Sequence, residues 1–203
     1  MISKIENLSE EQLSKIKETI GEAFVSNELF HNWGTEEQRH DDVMTYMAIF
    51  VEYTYRTGQL FSNEDMTGFI GLEYSRRKHI FSKIKMISRM LKKISKDKVQ
   101  KLIAFTKQIS DSNKKYAKKK HLNVLMVCVD KENQGKGIAT DLVNFAKEKA
   151  DKINAPLLFD TDMENYSEMY KYLGCELYNS VTADNGVTRY NLVYLPKNYK
   201  RRK

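Results

Sequence analysis

Between Val124 and Ala150 the chain reads VLMVCVDKENQGKGIATDLVNFAKEKA, which places an apolar strand, a glycine-containing turn and an amphipathic helix in direct succession. Val124, Leu125, Val127 and Val129 suit a buried strand, and Asp130–Asn133 ends it with polar turn formers. Leu142, Val143, Phe145, Ala146 and Ala150 then recur at helical spacing. The first N–H groups of such a helix have no partner within it, and the helix dipole adds partial positive charge, so the turn is built to receive an anion. Lys136 adds a cation, while Gly135 and Gly137 let the backbone approach a ligand closely.

The spacing excludes two common phosphate loops. A nucleotide P-loop needs four residues between its first glycine and a Gly-Lys-Ser/Thr, and a dinucleotide fold needs a third glycine where this chain has Thr140 and Asp141.

Gln134-Gly135-Lys136-Gly137-Ile138-Ala139 resembles the Gln/Arg-x-x-Gly-x-Gly/Ala signature of the GNAT superfamily of N-acetyltransferases. The surroundings extend the resemblance over about Leu122–Leu177. Pro156–Thr161 reads as the next strand, and Tyr166–Cys175 resembles the helix that carries a tyrosine shortly before a Gly-aromatic pair. The resemblance implies an α/β fold with a central mixed, mostly antiparallel, twisted sheet flanked by helices and a splayed strand before the acetyl-CoA loop. It also implies acetyl-CoA as co-substrate, its pyrophosphate on Gln134, Gly135, Lys136, Gly137, Ile138, Ala139 and Thr140. Backbone groups of Val127, Cys128 and Val129 would pair with the pantetheine and polarise the acetyl oxygen. Tyr170, four residues before Gly174, would protonate the departing thiolate, with Tyr166 and Tyr172 as neighbouring rivals. The chain departs from the pattern in three places: the usual amide position is Met163, leaving Asn165 as a displaced substitute; Cys175 replaces the aromatic; and Lys131 replaces a common proline.

The acceptor side is less defined. Phe30 and Trp33, in the break between the first two helices, are candidates to line an acceptor pocket, or else Trp33 anchors that loop. Glu73, His121, Asp160 and Asp162 are candidate bases for the amine, His121 being read first as a strand-edge residue bonded to backbone.

Length and composition fit one domain over residues 1–203. There is no apolar run long enough for a membrane span and no signal-peptide core at the N-terminus, so cytoplasm is the expected compartment. Cys128 and Cys175 read as buried packing, and the four scattered histidines give no metal-ligand spacing. The formal charge of +7 is uneven: seventeen Lys and Arg face Asp97 and Asp111 between Arg76 and Lys120, a local +15 that leaves −8 elsewhere.

Ser9 with Gln12 and Thr35 with Gln38 mark two helix starts, after a short strand at Ile2–Asn7. Gln59–Asn63 and Met66–Tyr74 read as a strand pair, with Gly68 and Gly71 marking a bulge or close packing. Phe81, Ile84, Ile87, Leu91, Ile94, Leu102, Phe105 and Ile109 make an amphipathic, lysine-rich region, about residues 81–120, between that hairpin and the central strand. A cationic amphipathic helix can lie on a membrane, but the expected role of this stripe is to pack on the protein's own core while its lysines face water. Asp111–Lys120 reads as a polar linker. Glu176–Val181 and Val187–Leu195 read as a final hairpin about Ala183–Gly186, and Pro196–Lys203 as a basic tail.

The expected function is acetyl transfer from acetyl-CoA to a primary amine by direct attack, with a small-molecule acceptor and a monomer or homodimer as the working form. A nucleic-acid or anionic-surface module using residues 76–120, and a non-catalytic acyl-CoA sensor, are the rivals. Nucleic acid ranks lower because the basic segment lacks the aromatic interleaving of a recognition motif.

Overall fold

The computed structural model describes residues 1–76, 79–109, 116 and 120–199. Its strands are β1 (Ile2–Lys4), β2 (Leu60–Asn63), β3 (Gly68–Tyr74), β4 (Leu122–Val129), β5 (Leu157–Thr161), β6 (Glu176–Thr182) and β7 (Thr188–Tyr194). Its helices are α1 (Glu10–Phe24), α2 (Glu36–Arg56), α3 (Ile80–Lys93), α4 (Lys96–Ile109), α5 (Ile138–Ile153) and α6 (Glu164–Tyr172), and a 3-10 turn occupies Glu28–Trp33. Of the basic region, residues 77–78, 110–115 and 117–119 lie outside the described residues, as do 200–203 of the basic tail and most of the expected polar linker.

The two helix starts are capping boxes, with Ser9 against Gln12 and Thr35 against Gln38. Each satisfies backbone donors that the first helical turn leaves open. The amphipathic region divides into α3 and α4 around Ile94 and Ser95.

The strands form one sheet in the order β1-β2-β3-β4-β5-β7-β6, antiparallel at every pairing except β4 with β5. Ile16, Ile20, Phe30, Val43, Met47, Met126 and Cys128 fill the core under α1 and α2. Ile70, Leu72, Leu122, Val124, Leu142, Ala146, Phe159 and Tyr170 fill the core under α5 and α6 on the opposite face.

Two irregularities of β4 create the site. Gly71 lies opposite Met126 and Leu72 opposite Val124, so Leu125 is one residue too many and forms a β-bulge. A strand alternates faces with period two, so the extra residue reverses its facing. Leu122 and Val124 therefore join the α5 core, whereas Met126 and Cys128, of the same parity, join the α1 and α2 core. Gly71 makes room: a Cβ there would lie 3.1 Å from the Leu125 Cβ.

The second irregularity is a splay. β4 pairs with β5 only through Leu122 with Leu157 and Asn123 with Leu158. Beyond Asn123 the two parallel strands part, and among the described residues the β4 edge from Val124 to Val129 has no strand partner on the β5 side. Backbone groups left this way need another hydrogen-bonding partner, water or a ligand.

One expectation fails here. Ile94, Phe105 and Ile109 are buried as the stripe reading requires, but Phe81 is 89 % exposed and Ile84, Ile87 and Leu91 are more than half exposed. The stripe of α3 does not pack on the core; α3 instead meets α2 through Met86 and Met90, which lie on a different side of the helix.

Candidate active site

The glycine turn is shaped by its backbone. Gly135 has φ +76° and Gly137, which caps α5, has φ +82°, both in the left-handed region that favours glycine. A Cβ at either position would meet nothing within 4 Å, so the surface above them is open. Gly137 makes no side-chain cap, and the first amide bonded back into the helix is that of Asp141, to the Gly137 carbonyl at 3.1 Å. The turn is fixed by two bonds: the Asp130 N–H donates to the Thr67 carbonyl at 2.8 Å, and the Gln134 side-chain Nε2 donates to the Val129 carbonyl at 3.3 Å.

The turn and the splay share a cavity of about 410 Å³. Of the residues expected from sequence to bind the co-substrate, Val127, Cys128, Val129, Gln134, Gly135, Gly137, Ile138, Ala139 and Thr140 line it, and so does Tyr170. Lys136 does not. Its exposed ammonium donates to the Asn133 side-chain oxygen at 2.9 Å, beside the turn. Asn165 is exposed on the first turn of α6 and does not line the cavity, so the displaced-amide expectation finds no support in the geometry. Tyr166, the rival donor, lines it as well, and so do Ala23, Phe24, Asn27, Asn133 and Met169, which were not singled out from sequence. Their only sequence signal is adjacency to elements already identified.

Tyr170 is held from three sides. Its ring lies 4.6 Å from that of Phe159 on β5, and α6 is followed, after its cap Leu173, by Gly174 in the left-handed region at φ +82°. That glycine turns the chain so that the Cys175 N–H bonds the Tyr170 carbonyl at 3.0 Å. The four-residue spacing from Tyr170 to Gly174 is thus a helix C-terminus, with the tyrosine one turn before it. The Lys147 ammonium, donating to the Leu173 carbonyl at 2.8 Å, ties this end to α5. Burial pushes the Tyr170 phenol up, so it is protonated at neutral pH. Tyr166 is 43 % exposed on the same helix, and Tyr172 is 92 % exposed and outside the cavity.

Neither thiol is ionised. Burial pushes Cys128 up to about 12, with the negative charge of Asp130 adding to it, and pushes Cys175 up to about 12 as well.

The acceptor-side candidates scatter. Phe30 and Trp33 are buried and do not line the cavity; this corrects the expectation that they face an acceptor. Both meet Tyr46 edge to face, and the Trp33 indole N–H donates to the Lys98 carbonyl at 2.8 Å, anchoring the 3-10 turn to α4. Glu73 is ion-paired with Lys83 at 2.6 Å and lies outside the cavity, against the expectation that it serves an acceptor. His121 is at the N-terminal edge of β4, its backbone bonded to Ser75 through both N–H and carbonyl.

Asp160 and Asp162 share a partner that sequence reasoning missed. Arg189 on β7 donates to Asp162 through Nε and through Nη2, the latter at 2.8 Å, and through Nη1 to Asp160. The triad carries one more negative than positive charge. Asp160 keeps a side chain 40 % exposed, yet burial pushes its carboxyl up against the opposing effect of Arg189. Its charge also reaches the Tyr170 phenol.

A second, wider cleft of about 1180 Å³ adjoins the first and shares Ala23, Gln134 and Tyr166 with it. Glu18, Glu22, Glu36, Glu37, Asp41 and Glu132 are among the residues that line it, so its walls are mainly acidic.

No family model and no curated protein sequence matches the chain. Its fold is that of the GNAT acetyltransferases. A Corynebacterium glutamicum protein described as histone acetyltransferase HPA2 and related acetyltransferase is similar over 97 % of this chain and 96 % of its own, at TM-score 0.62 and 12 % identity. Arylalkylamine N-acetyltransferase 2 from Aedes aegypti is similar over 96 % and 98 %, at TM-score 0.60 and 15 % identity. The polyamine N-acetyltransferase of Drosophila melanogaster, which forms N-acetylagmatine, is similar over 96 % and 99 %, at TM-score 0.56 and 12 % identity. The bulge, the splay and the turn described above are the parts of that fold which form the cavity here.

Proposed function

We propose that this protein is an N-acetyltransferase that moves an acetyl group from acetyl-CoA to a primary amine. The observation that carries this reading is the single cavity in which the left-handed glycine turn, the unpaired edge of β4 and Tyr170 meet. Those parts fit the co-substrate in sequence. Amides of the turn suit a pyrophosphate, assisted by the α5 dipole. The open β4 edge suits the amides of a pantetheine arm, which can add to it as a strand would. Acetyl-CoA supplies the activated thioester.

The chain's own groups then have separable tasks. The β4 backbone near Val127–Val129 orients the thioester and polarises its carbonyl. As the amine nitrogen bonds to that carbon and the C–S bond breaks, Tyr170 gives its proton to the departing sulfur. Direct attack is favoured over an acyl-cysteine route because Cys128 and Cys175 are both held protonated by burial. None of the candidate bases lines the cavity, Glu73 being paired with Lys83 and both aspartates with Arg189, so the amine's proton is assigned to a water chain leading into the acidic cleft. The acidic cleft beside the cavity supports a cationic small-molecule acceptor, as do the named substrates of the arylalkylamine and polyamine enzymes among the similar structures.

Calorimetry with acetyl-CoA, followed by thiol release against a panel of monoamines, diamines, polyamines and lysine peptides, tests the reading. Saturable binding with amine-dependent thiol release is the expected result. Binding without release for any amine would leave a sensor, and absence of binding would remove the proposal.

A further inference from the structure

The helix α3 is amphipathic in the reverse sense from a normal surface helix. Ile80, Ile84, Ile87 and Leu91 fall on one stripe at 51–59 % exposure, with Phe81 beside them at 89 %. Met86 and Met90, on an adjoining side, attach the helix to the core. Exposed apolar residues are ordinary when scattered; four in line along one helix with a fifth beside them mark a contact surface.

The charges around the stripe select what it contacts. Helical spacing puts Lys83 on one side and Lys85 and Lys92 on the other, with Lys93 ending the helix, and Ile80–Lys93 contains no acidic residue. Lys83 is tied to Glu73 and Arg89 to Glu52, while Lys85, Lys92 and Lys93 are exposed. A second copy of α3 laid on this stripe would bring like charges together without an acid on either helix. A surface that is apolar within and anionic outside meets both features. At 14 residues the helix is about 21 Å long, so it lies in a bilayer's interface and does not cross it.

We propose that α3 is a membrane-surface anchor, placing Phe81, Ile84, Ile87 and Leu91 among the acyl chains of an anionic leaflet while Lys85, Lys92 and Lys93 meet lipid headgroups. None of these residues lines the cofactor cavity, so the anchor is separate from the proposed chemistry. Its consequence is location: the enzyme acts on amines at or near an anionic membrane.

The test is flotation of the full chain with vesicles of phosphatidylcholine alone and with about 30 mol % phosphatidylglycerol. The protein should float at least about tenfold more with the anionic vesicles. Binding should fall about tenfold in the Ile84→Ser/Leu91→Ser variant and in the Lys85→Gln/Lys92→Gln/Lys93→Gln variant. All of these positions are exposed, and an unchanged circular dichroism spectrum and melting temperature would show that the variants fold. Failure to float with anionic vesicles overturns the proposal. So does flotation that the apolar substitutions leave unchanged, which would mean charge attraction alone. A dimer in sedimentation equilibrium that Ile84→Ser/Leu91→Ser dissociates, without vesicle binding, would assign the stripe to a second copy, and retention by an acidic peptide column indifferent to these apolar changes would assign the charges to a protein partner.

Discussion

Gly68 on β3 lies directly beneath Ile138 at the start of α5: a Cβ on the glycine would come within 2.3 Å of the Ile138 γ2 methyl and 3.2 Å of Leu142 Cδ1. The side chain of Asn63 holds the approach in place, its oxygen accepting from the Thr67 N–H at 3.0 Å and the Gly68 N–H at 2.8 Å. The hairpin is thereby a floor for the glycine turn. Its closeness sets how deeply the first turn of α5 sits against the sheet.

Replacing Gly68 with Ala should therefore act on the site without touching it. The added methyl forces Ile138 outward, at a cost of about 1–3 kcal/mol for overpacking. Urea unfolding should report that loss, and calorimetry should show weaker acetyl-CoA binding because the turn is displaced. Unchanged values in both would mean that Ile138 moves freely and that the floor is unimportant.

Gly137→Val tests the turn itself. The new side chain meets no protein atom within 4 Å, so steric clash inside the protein is not the cause of any effect. The φ of +82° is the cause: a β-branched residue held there costs about 1–3 kcal/mol, and its bulk stands where the phosphates would approach. Acetyl-CoA affinity should drop at least about tenfold, measured by calorimetry on protein shown to be folded. Equal affinity in variant and parent would exclude the turn from binding.

How far these parts could be read from sequence differs in kind. Capping boxes, the glycine turn and the Tyr170–Gly174 spacing are local, since each rests on residues within a turn or two of one another, and all are found where expected. The bulge at Leu125 is not local. The β4 sequence alternates without visible interruption, and the reversal of facing arises from its pairing with Gly71 and Leu72. Arg189 is similar, because nothing near it in sequence announces that Asp160 and Asp162 lie across the strand pair. Periodicity located the stripe of α3 but not the side of it that meets the core, which depends on where α2 lies. Phe30 and Trp33 were mistaken for pocket residues for a related reason: an aromatic pair in a loop looks the same whether it faces inward or outward.

Glu52 gives a pH prediction. Burial alone would raise its carboxyl, but hydrogen bonds from Arg56, Lys17 and Arg89 outweigh burial and lower it from 4.5 to about 2. A folded-state pKa below the unfolded one stabilises the fold fully above about pH 4.5, and that stabilisation is lost as pH falls toward 2. Discounted for solvent screening, the contribution is about 1 kcal/mol. Glu52→Gln should lower the melting temperature at pH 7 and converge on the parent near pH 2. A constant difference between variant and parent across that range would remove Glu52 from the acid transition.

The last prediction concerns the proton given to the leaving sulfur. Tyr170 is protonated at neutral pH, lines the cavity with the β4 edge and the glycine turn, and is fixed by Phe159 and by the C-terminus of α6. Tyr170→Phe keeps the ring against Phe159 and removes only the hydroxyl, so acetyl-CoA affinity should change little. Turnover with an accepted amine should fall by roughly 10²-fold or more, the usual range for loss of a positioned general acid. Tyr172→Phe, at an exposed position, should leave turnover unchanged. Tyr166→Phe is the informative comparison, because Tyr166 lines the same cavity and could carry the proton instead. With chemistry shown to be rate-limiting, a Tyr170→Phe rate within a few-fold of the parent and a large loss in Tyr166→Phe would transfer the role to Tyr166. Small effects in both would point to a water as the proton donor.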